Sequence, residues 1–200
     1  MLTIADRFSL TRLALAPVLL AVAWAGAEML FLPILALALL TDFMDGLLAR
    51  KLHQQSDWGP RLDTAADAAL LMTLPFCAWW LWPDVTHREA PFIVVAVLMF
   101  LIPSVLGLVK YGRPTCYHTW SAKFSTAFLG GSALLMFMLG PAWPFRLAVA
   151  VYALAAAEET AITLVLPRWR PNVPSIRSAC NLRRSMTATP HARPGKGTKA

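Results

Sequence analysis

Four aspartates, Asp42, Asp45, Asp63 and Asp67, sit beside or inside long apolar stretches of this 200-residue chain. A charged side chain at the centre of a bilayer costs about 2.5–3.5 kcal/mol on insertion scales, so acids in such places are functional suspects. Asp42 and Asp45 are spaced i, i+3, and Asp63 and Asp67 are spaced i, i+4, so each pair shares one face of a helix. Two adjacent antiparallel helices can then aim four carboxylates at one point. Gathered there, the carboxylates repel one another unless cations neutralise them. All-oxygen ligands without clustered His or Cys favour Mg²⁺ or Mn²⁺ over zinc. Two such ions about 3.5–4 Å apart form the clamp used for displacement at phosphorus. The spacing alone therefore points to phosphoryl-group chemistry.

The elements that must hold these acids are apolar helices. Hydrophobic residues make up 58% of the chain and charged residues 14%, against about 45–50% and about 25% for a soluble domain. Six stretches approach the ~20 residues that a helix needs to cross the hydrocarbon: residues 10–26, 29–50, 62–83, 91–110, 121–140 and 143–166. The predicted fold is all-α, a bundle of six transmembrane helices. Residues 1–9 read as a short amphipathic helix on the membrane surface, and the N-terminus lacks the charged, apolar and small-residue series of a cleaved signal peptide. Pro17, Pro33, Pro75 and Pro103 fall within or beside spans, which membrane helices tolerate.

Charge sets the expected orientation. With six spans both termini share a side. That side collects sixteen basic residues: Arg7, Arg12, Arg50, Lys51, Arg61, Lys110, Arg113, Lys123 and eight in the tail. The opposite loops hold Arg88 and Arg146. By the positive-inside rule both termini are cytoplasmic, and the expected location is a bacterial inner (cell) membrane. Tryptophans near span ends, such as Trp24, Trp79 and Trp143, fit an interfacial belt. Residues 1–167 read as the membrane domain. Residues 168–200, with eight Lys/Arg and no Asp/Glu, read as a disordered basic cytoplasmic tail drawn to anionic lipid rather than nucleic acid. Cys77, Cys116 and Cys180 are too scattered for a metal site or disulfide framework.

The acids belong to a longer pattern: Asp42-x-x-Asp45-Gly46-x-x-Ala49-Arg50, eight residues, then Gly59-x-x-x-Asp63-x-x-x-Asp67. This resembles the signature of the CDP-alcohol phosphotransferases at every fixed position. The stretch FSLTRLALAP, from Phe8 to Pro17, is similar to the family's N-terminal segment. Many members carry a proline and a lysine where this chain has Thr64 and Ala68, changes that bear on packing or acceptor choice. The resemblance implies that Asp42, Asp45, Asp63 and Asp67 hold two Mg²⁺ or Mn²⁺ ions against the pyrophosphate of a CDP-linked donor. It implies that Asp67 also takes the acceptor's proton. It further implies a phosphatidylglycerophosphate synthase-like enzyme of phospholipid synthesis, a six-span fold and a homodimer.

Other residues carry two readings each. Gly46, Ala49 and Gly59 allow the nucleotide to approach backbone closely, or allow tight helix packing. Arg50 suits a bidentate phosphate contact or a cytoplasmic anchor. Lys110, Arg113 and Lys123 surround one loop, where they could bind a phosphorylated acceptor or serve as positive-inside charge. His118 reads as an interfacial hydrogen-bonding residue. Glu158 and Glu159 lie in the sixth span, where they face the polar cavity or make structural polar contacts. The expected donor is CDP-diacylglycerol and the favoured acceptor glycerol 3-phosphate, with CMP released. Inositol phosphate, phosphatidylglycerol and serine are the alternative acceptors. A small transporter is disfavoured because the four acids gather at one end and no inverted repeat is visible. A catalytically silent scaffold is disfavoured because no motif aspartate is lost.

Overall fold

The computed structural model describes residues 4–52, 59–112, 117, 119–167, 169 and 173–188; within these, the side chains of 4–6, 42–52, 59–61 and 185–188 fall outside the description. Among the described residues there are seven α-helices and no strand. They are α1 (Ile4–Trp24), α2 (Glu28–Leu52), α3 (Gly59–Leu81), α4 (Pro83–Tyr111), α5 (Trp120–Leu139), α6 (Trp143–Val165) and α7 (Ile176–Ala188).

The helix ends follow local chemistry. The turn from α1 to α2 passes through Gly26 at φ +69°, a left-handed conformation that glycine adopts without a Cβ penalty. Gly112 and Gly140 close α4 and α5 in the same region, with N–H groups donating to Leu108 O and Met136 O. The Thr119 hydroxyl caps α5 by accepting the N–H of Ala122 at 3.1 Å. A single residue, Trp82, separates α3 from α4, and Pro83 begins α4 where its missing N–H costs no hydrogen bond.

α1 packs on α2 and α3, while α4 and α5 pack on α6; α3 with α4 and α2 with α5 join the two halves. Leu19, Ala23, Phe31, Leu35, Ala38, Leu70, Cys77 and Leu81 form one buried cluster. Ala96, Leu129, Met136, Phe145, Ala148 and Val149 form another. Trp82 links them, edge-on to Phe31 at 5.7 Å and stacked on Phe137 at 4.6 Å. Outside the bundle α4 exposes Val94, Leu98, Ile102, Val105 and Val109, an outer face suited to lipid. Buried hydroxyls turn inward on their own helices: Ser125 donates to Ala122 O, Ser132 to Leu129 O and Thr163 to Glu159 O. No polar partner from lipid is then needed.

Among the described residues, five helices are long and apolar enough to cross a membrane: α1, α3, α4, α5 and α6. The chain is thus an integral membrane protein by its helices. The described apolar part of α2, Glu28–Thr41, is shorter, although the helix as a whole runs 25 residues.

Three expectations change. Of the surface helix predicted for residues 1–9, the described residues 4–9 are continuous with the first span, because α1 runs unbroken from Ile4. The fourth span, predicted from residue 91, begins at Pro83. Residues 176–188 are helical where composition predicted disorder. Tertiary contact accounts for that last difference, since Val173 and Ala179 are buried against Ile162, Leu166 and Tyr117, a partner surface that the tail's own composition does not reveal.

Candidate active site

Asp63 and Asp67 lie one turn apart near the start of α3, on one face. That face meets α1, and α1 presents Arg12. Arg12 Nη2 donates to Asp63 Oδ1 at 2.8 Å, and Arg12 Nη1 donates to Asp67 Oδ1. The arginine is 1% exposed, whereas the two carboxylates are 26% and 36% exposed. A buried, permanently charged fork thus holds one oxygen of each acid and keeps the pair from repelling. Both acids stay partly exposed near the start of α3.

Arg12 is the site residue that sequence reasoning missed. It counted only as one of the cytoplasmic charges, although it stands in the family-like stretch from Phe8 to Pro17. The available signal was an arginine set in the apolar run of a membrane helix, which demands a counter-charge.

Asp42 and Asp45 lie on the last three turns of α2, with Gly46, Ala49 and Arg50. Their side chains, like those of Gly59 and Arg61, and all of Arg113 and His118, lie outside the described residues. Among the described residues no group of three or more His, Cys, Asp or Glu side chains gathers at a point. The donors that Asp63 and Asp67 supply from α3 are carboxylate oxygens, and oxygen donors suit a hard divalent ion.

A cavity of about 140 Å³ runs inward from Arg12 and Asp67. Beyond those two residues, Thr126 and Tyr152 its walls are apolar, with Ala78, Met136 and Phe145 among them. Tyr152 of α6 therefore reaches the same space as Asp67 of α3.

The basic loop cluster divides. Lys110 Nζ donates to the carbonyls of Thr163 at 2.7 Å and Leu164 at 3.1 Å. The Tyr111 hydroxyl lies 2.8 Å from Thr163 O and 2.7 Å from Leu166 O. A cation on the last carbonyls of α6 meets the negative end of that helix, so Lys110 closes a helix. Lys123 is exposed on the first turn of α5.

Glu158 makes structural contacts. Its Oε2 accepts from Ser121 Oγ on α5, and its Oε1 accepts the N–H of Ile176, the first residue of α7, at 3.2 Å. Glu159 is partly buried. At the far end of the bundle Glu89 of α4 is fully buried, and Arg146 of α6 binds both its oxygens at 2.8 Å. Arg88 adds a bond to Oε1 at 3.1 Å. Sequence reasoning saw Arg88 and Arg146 only as loop charges.

Comparison with known proteins bears on this arrangement. The family model described as CDP-alcohol phosphatidyltransferase matches residues 2–165. A "Probable phosphatidylglycerophosphate synthase" of Mycobacterium tuberculosis (strain ATCC 25618 / H37Rv) is 31% identical over 173 residues, covering 80% of this chain and 77% of the relative. A "CDP-diacylglycerol--glycerol-3-phosphate 3-phosphatidyltransferase" of Salmonella choleraesuis (strain SC-B67) is 32% identical over 99 residues, or 45% of this chain and 54% of the relative. No solved structure matches. The match extends from α1, which carries Arg12, through the aspartates of α3 to the end of α6, so the membrane bundle and its acidic site are covered together: the chain belongs to the CDP-alcohol phosphatidyltransferase family, whose members are membrane enzymes of phospholipid synthesis.

Proposed function

We propose that this enzyme transfers a phosphatidyl group from CDP-diacylglycerol to an alcohol hydroxyl, with glycerol 3-phosphate as the acceptor and CMP released. The observation that carries the reading is the pair Asp63 and Asp67, half-open at one end of the bundle and oriented by a buried Arg12. The name of the Salmonella relative gives this donor and acceptor, and that of the Mycobacterium relative gives phosphatidylglycerophosphate as the product, which supports the reading.

Each group has a part in this reading. Asp42, Asp45, Asp63 and Asp67 would hold two Mg²⁺ or Mn²⁺ ions, which neutralise charge on the donor pyrophosphate and the departing CMP. Asp67 takes the proton of the acceptor hydroxyl as its oxygen attacks the phosphorus beside the lipid. A carboxylate is a weak base, so this works as the hydroxyl's own pKa falls at the site. Arg12 keeps Asp63 and Asp67 aimed. Gly46, Ala49 and Gly59 let the nucleotide approach the backbone, and Arg50 binds its phosphate. Arg113 and Lys123 attract the acceptor's phosphate; Lys110 stabilises the end of α6.

In the same reading α2 is a sixth span, since its 25 residues are long enough to cross. Six spans bring both termini to the basic, cytoplasmic side of a bacterial inner membrane. The working unit is a homodimer.

The test is CMP release by the purified protein in detergent with CDP-diacylglycerol, Mg²⁺ or Mn²⁺, and a panel of acceptors. Release with glycerol 3-phosphate, abolished by chelator, is the expected result. Release with inositol phosphate, phosphatidylglycerol or serine instead would replace the acceptor and keep the chemistry. Silence with every acceptor would overturn the proposed donor and turn attention to CDP-linked amino alcohols.

A further inference from the structure

The last helix is docked on the bundle, and its docking gives it a defined outer face. Glu158 supplies the fixed point: one carboxylate oxygen accepts the first N–H of α7 at 3.2 Å while the other accepts from Ser121. An acid at a helix N-terminus satisfies an otherwise orphaned donor and meets the positive end of the helix dipole. Val173 and Ala179 then seat against Ile162 and Leu166 at the end of α6, with Ile176 and Leu182 packed beside them.

Ile176, Ala179 and Leu182 thus define the inner side of α7. Arg177, Cys180, Asn181 and Arg184 recur at i, i+3, i+4 and i+7, the spacing of one helical stripe. All four are exposed, as is Arg183 at the edge of the stripe. No acidic residue occurs from Arg168 to Ala200. The apolar helix α6 ends at Val165 and α7 begins at Ile176 and packs back on that end; a helix docked on the end of a membrane crossing lies within reach of lipid headgroups. A basic helix with an apolar inner side in that position is surrounded by phosphate groups.

We propose that the outer face of α7 binds anionic phospholipid headgroups through Arg177, Arg183 and Arg184. Guanidinium forks take two phosphate oxygens at once, and the Glu158 contact holds the row of arginines in one orientation. The surface is separate from the Asp63–Asp67 site and needs only that the chain reside in a bilayer; it stands or falls independently of the acceptor assigned above.

Cys180, exposed on this stripe, provides the reporter. The full chain carrying Cys77→Ala and Cys116→Ser is labelled at Cys180 with an environment-sensitive thiol dye and reconstituted in phosphatidylcholine nanodiscs with and without phosphatidylglycerol. The expected result is a spectral change that appears with phosphatidylglycerol and fades as salt is raised. Arg177→Gln/Arg183→Gln/Arg184→Gln should weaken the response to phosphatidylglycerol titrated in detergent by on the order of a hundredfold for three arginines near an anionic surface. The corresponding triple Lys variant should retain most of it. If the triple Gln variant does not fold, Arg177→Gln alone should give a partial loss with a shallower salt dependence. An equal change in phosphatidylcholine alone, an undiminished response in the Gln variants, or the same response to soluble glycerol phosphate or to an oligonucleotide would overturn the proposal.

Discussion

Arg12 Nη2 lies 2.8 Å from Asp63 Oδ1 while its neighbour Nη1 bonds Asp67, so one guanidinium from α1 spans both acids of α3. The arginine is buried and the acids are half-open. This asymmetry makes Arg12 the frame of the pair, with its own group shielded from water and its partners partly exposed. Arg12→Ala leaves two acids without their fork, and a hydrogen bond to a charged group contributes about 1.5–3 kcal/mol. CMP release should fall at least a hundredfold. Arg12→Lys should restore stability better than turnover, because an ammonium is a point charge and cannot bridge two carboxylates in a fixed plane. Parallel thermal melts and CMP assays of the two variants check this; full turnover in Arg12→Ala would remove Arg12 from the site.

Asp67→Asn keeps the size of the side chain and an oxygen for Arg12 but removes the negative charge. General-base assistance contributes about 10²–10⁴-fold, so turnover should drop by at least that much with the fold retained. Asp63→Asn should also lose activity, through metal affinity, and raising Mn²⁺ should recover part of it. The same Mn²⁺ titration should leave Asp67→Asn inactive. Recovery of both variants to the same degree would show that Asp67 acts as a ligand alone.

That Asp63 and Asp67 share a helix face was legible because the information is local. Spacings of three and four residues fix a shared helix face whatever the rest of the chain does. The partners of those acids were not legible. Arg12 lies 51 and 55 residues from the acids it holds, and Arg146 lies 57 from Glu89, so these pairings exist only once α1 has met α3 and α4 has met α6. The tail shows the same limit. Its composition argues for disorder, yet α7 is docked, with Val173 and Ala179 buried on the end of α6 and Glu158, eighteen residues upstream, accepting the N–H of Ile176. The span count was read from apolar length. The structure supports it for five helices and shows a proline-started α4 of 29 residues, longer than its hydropathy suggested because Asp84, His87, Arg88 and Glu89 lie within its first two turns.

Glu89 and Arg146 should matter to stability and leave the chemistry alone. The carboxylate is fully buried at the end of the bundle remote from Asp63, and removing its main partner leaves a buried charge poorly compensated. Arg146→Ala should lower the Tm by several degrees, more than Glu89→Gln, which neutralises the buried charge while keeping its shape. CMP release at low temperature should be unchanged in both. A large drop in kcat for either variant would tie this distant pair to the site.

Glu158→Ala should release α7. It removes the acceptor for the Ile176 N–H and the partner of Ser121 together, and limited proteolysis should then cut within the residues that lead into and through the helix. Glu158→Gln keeps an oxygen for the N–H and should protect the segment nearly as well as the native acid. Identical digestion of the native and Ala proteins would show that Val173 and Ala179 hold the helix without the cap.

Gly130 tests how closely α5 must approach α2. A Cβ at this position would lie 2.6 Å from Leu39 Cδ2, nearer than atoms of this kind can pack. Leu39 stands one turn before Asp42 on α2, so a push at this contact is felt on the helix that carries two of the four acids. Gly130→Ala should therefore reduce stability modestly, since a leucine end can swing away. Gly130→Val, branched at the point of contact, should lose both stability and turnover. Leu39→Ala clears the space at the cost of an apolar contact. The double variant Gly130→Ala/Leu39→Ala should consequently be more stable than the sum of its parts predicts. Melting temperatures of the two single variants and the double variant close the cycle. Strict additivity would mean that the two helices already part enough to admit a methyl group, and Gly130 would then be a matter of helix packing elsewhere, without consequence for the placement of Asp42.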